Sequence, residues 1–195
     1  MILKIRQAGE PVLRQSAGPL SHDEILGQPI QDLIESMRET MHDAPGVGLA
    51  APQIGIPLQL VVVEDQPRFL EKLSPEDLAE RERSAVPFHV LINPVIAAAG
   101  SESVEFFEGC LSVAGFTATV PRMREVRVEC LNERAEPVVI EAKGWYARIL
   151  QHEIDHLQGM LYLDRMNTLS FSTLDNYGRY LLRNSPAQQS LGRRT

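Results

Sequence analysis

The sequence reads Trp145-Tyr-Ala-Arg-Ile-Leu-Gln-His-Glu-Ile-Asp-His-Leu-Gln158 shortly before its C-terminal part, and this stretch determines how the rest is interpreted. Its apolar residues recur at helical spacing and Gly159 follows it, so we predict a helix over residues 145–158. Four residues turn a helix by about 400° and advance it by about 6 Å. The imidazoles of His152 and His156 therefore lie one above the other, and both can reach one divalent ion.

The acid between the two histidines is placed differently. Glu153 lies about 100° around the axis from His152, too far to be a good co-ligand but close enough to reach a water molecule beside the ion. The alternative is a chance pair of partly buried histidines with a surface acid between them. The apolar face of the helix argues against it, because three ionisable groups on a buried helix need partners.

A third ligand is expected for an ion that also keeps one open position. Cys110 is the candidate, because a thiolate binds divalent ions strongly and Gly109 lets the backbone approach closely. The alternative for a lone cysteine is a small buried hydrophobic residue. We keep that interpretation for Cys130, which lies in an alternating segment.

The glycine-rich residues 46–53 are the last chemical signal, and we expect residues 46–55 to form a loop after the helix that ends at residue 41. Small side chains there would let another chain lie against the backbone, and Gln53 offers an amide donor to a carbonyl or an oxyanion. By itself such a stretch is more often an ordinary turn. It also lacks the lysine and the strand-before-helix context of a phosphate-binding loop.

Three segments together resemble the peptide deformylase family: Gly46-x-Gly48-x-Ala50-Ala51-Pro52-Gln53, Glu108-Gly109-Cys110-Leu111-Ser112 and Gln151-His152-Glu153-x-x-Asp155-His156. Their order and spacing are also similar, and the resemblance spans residues 3–166. It implies an α+β fold in which antiparallel sheets pack around a central helix that carries the motif. It also implies removal of the formyl group from the N-terminal methionine of new polypeptides, with release of formate.

The resemblance assigns roles to the residues already selected. It implies one divalent ion per chain, Fe²⁺ with Ni²⁺, Co²⁺ or Zn²⁺ as substitutes, held by Cys110, His152 and His156. It implies catalytic roles for Glu153 as the base and for Gln53 and the Leu111 backbone N–H as oxyanion donors. The substrate would add a strand along residues 46–48, with contacts predicted at Val47, Gly48, Gly109, Trp145 and Ile149. For Trp145, a core aromatic residue is an equal alternative.

The remaining elements follow from periodicity. Apolar residues spaced by three and four predict a helix over residues 29–41, and alternation rich in β-branched residues predicts strands. These strands cover residues 58–64, 90–97, 124–131 and 137–142. We expect a catalytic domain over residues 1–168 with an exposed charged insertion at 65–86, in which Ser74 caps a short helix. Residues 169–195 would form a C-terminal tail with a third helix at 172–182.

Composition limits the function classes. The chain has 195 residues, 44% hydrophobic and 23% charged, as expected for one globular domain, and no apolar run long enough for a membrane span. Its net charge of −7 argues against a general nucleic-acid binder. The two cysteines and an N-terminus without a signal sequence predict a cytoplasmic, bacterial protein. The last twenty residues carry four arginines and no acid, which suggests docking on the ribosome as a hypothesis.

Two other functions remain open at this point. A zinc metallopeptidase shares the His-Glu-x-x-His helix but usually takes a carboxylate or a histidine as its third ligand. A structural metal module would use four protein ligands and would not need Glu153. Only three ligands stand in recognisable positions here, together with a base.

Overall fold

A computed structural model describes residues 1–181 of the chain. In chain order it contains helices α1 (His22–Leu26) and α2 (Gln28–Asp43), strands β1 (Gly48–Ala50) and β2 (Leu60–Asp65), helices α3 (Pro67–Leu70) and α4 (Pro75–Glu80), strands β3 (Val86–Ala98), β4 (Ser103–Glu108), β5 (Phe116–Met123), β6 (Glu125–Leu131) and β7 (Pro137–Lys143), helix α5 (Gly144–Leu157), strand β8 (Ser172–Thr173) and helix α6 (Leu174–Asn176). Short 3₁₀ segments occupy Pro11–Arg14, Ala51–Ile54, Tyr162–Asp164 and Thr168–Ser170, and a π-helical turn covers Tyr177–Leu181.

The strands form antiparallel sheets. One sheet has the order β1-β2-β3-β6-β7, and the other has the order β4-β5-β8. Helix α5 packs against the first sheet through Ile149, Leu150, Ile154 and Leu157. This arrangement is the α+β fold that the sequence predicted, with the helix that carries the motif at its centre.

Strand β2 shows why the sheet is buried on both sides. Val61 and Val63 pack in the cluster around α5, whereas Leu60 and Val62 pack in the cluster around α2. Successive side chains of a strand point to opposite faces. A strand with a helix on each side must therefore be apolar at every position, and residues 60–63 form the purely aliphatic run of the sequence.

Helix α2 and the four predicted strands are confirmed to within a few residues. Strands β4 and β5 were not predicted, because the burial of β4 does not alternate cleanly between its two faces. Residues 46–55 were expected to form a loop. They also include strand β1 and the 3₁₀ segment Ala51–Ile54, so the loop prediction is wrong there.

The third predicted helix, at residues 172–182, is wrong at its start. Ser172 and Thr173 pair with Thr117 and Phe116 of β5 as strand β8. The chain becomes helical only at Leu174, since the Thr173 hydroxyl caps the turn by accepting the Asn176 N–H at 3.2 Å. Leu182, the predicted last residue of this helix, and the tail after it lie outside the described residues. The predicted boundary between a catalytic domain and a C-terminal part at residue 168 stays a prediction.

The charged segment between β2 and β3 contains the predicted helix start. The Ser74 hydroxyl accepts the Asp77 N–H at 3.0 Å at the beginning of α4. Residues 81–83 of this segment are not exposed as expected, because they turn back onto α5 and are partly buried. None of the helices among residues 1–181 is long and apolar enough to cross a membrane.

Candidate metal centre and active site

Helix α5 brings the two predicted histidines together. The ring centroids of His152 and His156 are 5.1 Å apart. Cys110 enters from the turn between β4 and β5, and its Sγ lies 3.3 Å from Nε2 of His156. One donor atom from each of the three residues lies within 4.8 Å of the other two. The structure therefore brings these three side chains together, and their role as metal ligands stays a prediction.

Two N–H groups point at the sulfur of Cys110. The Gln53 amide Nε2–H points at Sγ over 3.6 Å, and the Ser112 backbone N–H points at it over 3.4 Å. The same Gln53 amide donates to the Ser112 hydroxyl at 3.3 Å. Its oxygen accepts the Ala50 N–H at 2.8 Å. Gln53 is thus fixed at both ends beside the sulfur, as its predicted role as a donor requires.

The donor set fits a divalent ion. One thiolate and two imidazoles are ligands that zinc and divalent iron accept, and three protein ligands leave a position open. Glu108 contacts Nδ1 of His152 at 2.9 Å, which leaves the other ring nitrogen available for an ion. The buried Nδ1 of His156 has no hydrogen-bond partner within residues 1–181.

The electrostatics of the two imidazoles differ. Burial alone would lower the pKa of His152, but contacts with Cys110 and Glu108 raise it well above its ordinary value. Burial and the neighbouring His152 lower the pKa of His156 well below its ordinary value. Two imidazoles packed this closely cannot easily both be charged.

Glu153 has the environment of a general base. Its side chain is buried, and Oε2 has no hydrogen-bond partner among residues 1–181. Burial raises the pKa of Glu153 to about 7, which suits proton exchange near neutral pH. Gly48 of β1 makes room for it, because a Cβ atom at Gly48 would lie 2.6 Å from the Glu153 Cγ.

A buried ion network supports the site, and sequence reasoning missed it. Arg122 donates through Nε and Nη2 to both oxygens of Glu108, each at 3.0 Å, and through Nη1 to Asp155. Arg148 donates to the same Glu108 at 2.6 Å and to the Val120 carbonyl at 2.8 Å. Burial alone would raise the pKa of Glu108, but His152 and Arg122 lower it. The sequence contained one sign of this network, because Arg148 precedes His152 by four residues on the same helix.

A cavity of about 430 Å³ opens onto the candidate metal ligands Cys110 and His152 and onto Glu153. All five predicted substrate contacts line it, as do Gln53, Cys110, Leu111, His152 and Glu153. His156 stands behind this wall and is buried. Trp145 is half-buried and packs against the α5 core while lining the cavity, so its contact with a substrate stays a prediction.

Comparison with known proteins agrees with this geometry. Residues 2–172 match the family model described as Polypeptide deformylase. The chain belongs to the polypeptide deformylase family. The family motifs that the sequence suggested therefore occur on the family's fold.

Individual family members differ in length from this chain. Peptide deformylase 3 of Streptomyces avermitilis is 49% identical over 172 residues, which cover 88% of this chain and 74% of that protein. The chloroplastic peptide deformylase 1A of Solanum lycopersicum is 44% identical over 172 residues. These cover 88% of this chain but 62% of the tomato protein, which is less than two thirds of its length.

A solved structure is also similar. It is the class I type b peptide deformylase of Acinetobacter baumannii with Met-Ala-Ser bound, which is 33% identical to this chain with a TM-score of 0.76. The match covers 85% of this chain and 99% of that one. The α+β fold is therefore shown both by the strands and helices and by this likeness.

Proposed function

We propose that this chain is a metal-dependent peptide deformylase that removes the formyl group from the N-terminal methionine of nascent polypeptides and releases formate. One observation carries the proposal. The Cys110, His152 and His156 donors converge beside a cavity, and the buried carboxyl of Glu153, whose Oε2 has no hydrogen-bond partner among the described residues, lines the same cavity. The names of the Streptomyces and tomato relatives support the same reaction.

Cys110, His152 and His156 would hold one divalent ion. Such an ion supplies Lewis-acid chemistry to a carbonyl oxygen and to water. We propose Fe²⁺ as the native ion, on the family resemblance alone, since the same donors also suit Zn²⁺, Ni²⁺ and Co²⁺. Glu108 would keep the His152 ring in its ligating orientation.

Glu153 would act as the proton carrier. Its carboxylate would take a proton from the attacking water and pass it to the departing methionine nitrogen as the bond from formyl carbon to nitrogen breaks. The oxygen that gains charge would face the Gln53 amide and the Leu111 backbone N–H. Both residues line the cavity next to Cys110. The products are a free amine and formic acid, which releases its proton to become formate, so that atoms and protons balance.

The substrate would lie along β1. This strand pairs only with β2 among the described residues, which leaves its other edge free for an extended peptide. The methionine side chain would enter the cavity beside Val47, Gly48, Gly109, Trp145 and Ile149. The Met-Ala-Ser ligand of the Acinetobacter structure is a peptide of the kind that this reaction releases.

We also propose that the protein works in a bacterial cytoplasm, where formylated chains are made. Both cysteines are free in the structure, in keeping with a reducing compartment. Ribosome docking through the basic tail stays a hypothesis. Arg179 is among the described residues, and the other three arginines of the tail are not. Unchanged co-sedimentation with ribosomes after deletion of residues 184–195 would count against it.

The test is formate release from formyl-Met-Ala-Ser by protein purified without oxygen and loaded with iron or nickel. We expect turnover by the native protein and losses of at least about a hundredfold in Glu153→Gln and Cys110→Ala, the scale for a lost base or ligand. The matched controls are Glu129→Gln, which is exposed, and Cys130→Ala, which is buried away from the cavity.

The same assay separates the competing functions. A metallopeptidase would cut an internal peptide bond and release no formate. A structural metal module would bind its ion equally well in Glu153→Gln and would catalyse neither reaction. Native metal-loaded protein that leaves formyl-Met-Ala-Ser unchanged would contradict the proposal.

A further inference from the structure

The charged segment between β2 and β3, residues 66–85, has no role in the chemistry described so far. It nevertheless returns to the beginning of α5, where the Arg81 carbonyl accepts the Trp145 backbone N–H at 2.8 Å. Gly144 has a φ of +59° at this contact. A Cβ atom there would lie 2.5 Å from the Glu82 Cβ and 2.7 Å from the Arg81 carbonyl oxygen. The close approach of the two backbones therefore requires glycine.

Two side chains of this segment pack on the indole of Trp145. The guanidinium carbons of Arg81 and Arg83 lie 5.0 and 5.1 Å from the centre of its ring. Both distances are within the range of a cation–π interaction. Arg83 is itself fixed, because it donates to both oxygens of the buried Asp65 at 2.7 and 2.9 Å. The position of this contact is thus tied to the end of β2.

The indole also meets the cavity. Trp145 lines the cavity wall next to Ile149, and Arg148 approaches the same ring to 5.8 Å from within α5. An aromatic side chain held by several cations and by its own backbone has little freedom to change rotamer. The shape of this wall therefore depends on a segment that does not itself line the cavity.

We propose that residues 66–85 determine selectivity for the first side chain of the substrate, by fixing Trp145 in the cavity wall through Arg81 and Arg83. This inference rests on the proposed deformylase function. The segment acts on binding rather than on the chemical step, since Trp145 precedes His152 by seven residues, about 10 Å along the helix axis. Arg81 is a positioning residue in this account.

The test variant is Arg81→Met, which keeps the length of the side chain and the backbone contact but removes the charge. Arg83 is less suitable, because its removal would leave Asp65 buried without a partner and could unfold the protein. The matched control is Arg68→Met in the same segment. Arg68 stacks on Phe69 at 4.9 Å, and neither of these residues lines the cavity.

Trp145 is the one tryptophan of the sequence, so its fluorescence reports on the cavity wall directly. We expect Arg81→Met to increase acrylamide quenching of Trp145. We also expect KM for formyl-Met-Ala-Ser to rise about threefold to tenfold, the scale of one cation–π contact. The kcat value should stay within about twofold. The preference for formyl-Met-Ala-Ser over formyl-Leu-Ala-Ser should fall by about the same factor as KM rises, and Arg68→Met should match the native protein.

Peptide binding separates this inference from the proposed function. Dissociation constants of Met-Ala-Ser and Leu-Ala-Ser, followed by Trp145 fluorescence on the metal-loaded protein, do not depend on turnover. A native preference for Met-Ala-Ser that weakens in Arg81→Met supports the inference even if no formate is released. An unchanged preference in Arg81→Met, or no preference in the native protein, overturns it.

Discussion

Replacing Gly48 by alanine tests the packing of the catalytic base. The added Cβ would lie 2.6 Å from both Cγ and Cδ of Glu153, whereas ordinary contacts begin at 3.4 Å. Glu153 or strand β1 must therefore move by about 0.8 Å, the difference between these distances. A misplacement of about 1 Å in an active site can reduce the rate about a hundredfold. Overpacking should also cost about 1–3 kcal/mol of stability.

The assay compares kcat/KM for formate release with urea unfolding of the same protein. We expect Gly48→Ala to lose about thirtyfold to a hundredfold in kcat/KM while remaining folded. Gly100→Ala is the matched control, because a Cβ there would meet nothing closer than 3.9 Å. A Gly48→Ala protein with kcat/KM within about threefold of the native value would refute the packing argument.

Four further predictions follow from other contacts. Cys110→Ala should reduce bound metal per chain at least tenfold by elemental analysis, with Cys130→Ala retaining it, since only Cys110 meets both histidines. Glu108→Gln should lower the unfolding free energy by about 3–5 kcal/mol in a urea titration, because the buried Arg148 loses its counter-charge and the buried Arg122 keeps only Asp155. Thr173→Ala should speed hydrogen exchange in residues 174–181, because removal of a helix cap costs about 1 kcal/mol. Burial lowers the pKa of His89, so the folded state binds this proton less readily than the unfolded state does, and stability should fall as the pH drops below about 6.5. His89→Gln should reduce that fall, measured as the change of the urea midpoint with pH.

Much of the fold could be predicted because its helices and buried strands carry clear periodic patterns. The apolar stripe of α2 and the aliphatic residues of β2 reflect burial against neighbouring layers. Strands β4 and β5 were not recognised by such a pattern. In β4 the cause is that most of its residues are exposed or only partly buried. The start of the third helix depended on pairing between Thr173 and Phe116, a contact across the fold that local propensity does not contain.

The sequence allowed us to predict which side chains meet at the candidate site, but not which side chains support them. The four-residue spacing of His152 and His156 is a local property of one helix, and the thiol was recognised by its motif. The Glu108 network joins two strands and a helix, so its members are far apart in sequence. Likewise, the contact between Arg81 and Trp145 joins distant segments, and charge alone suggested only an exposed insertion.

The most direct test of the central claim is mass spectrometry of formyl-Met-Ala-Ser after incubation with the metal-loaded protein, combined with formate measurement. The account predicts loss of the formyl group alone, with equal amounts of formate and Met-Ala-Ser and an intact peptide bond between Met and Ala. Cleavage between Met and Ala, or a formyl peptide that remains unchanged while the metal is bound, would contradict it.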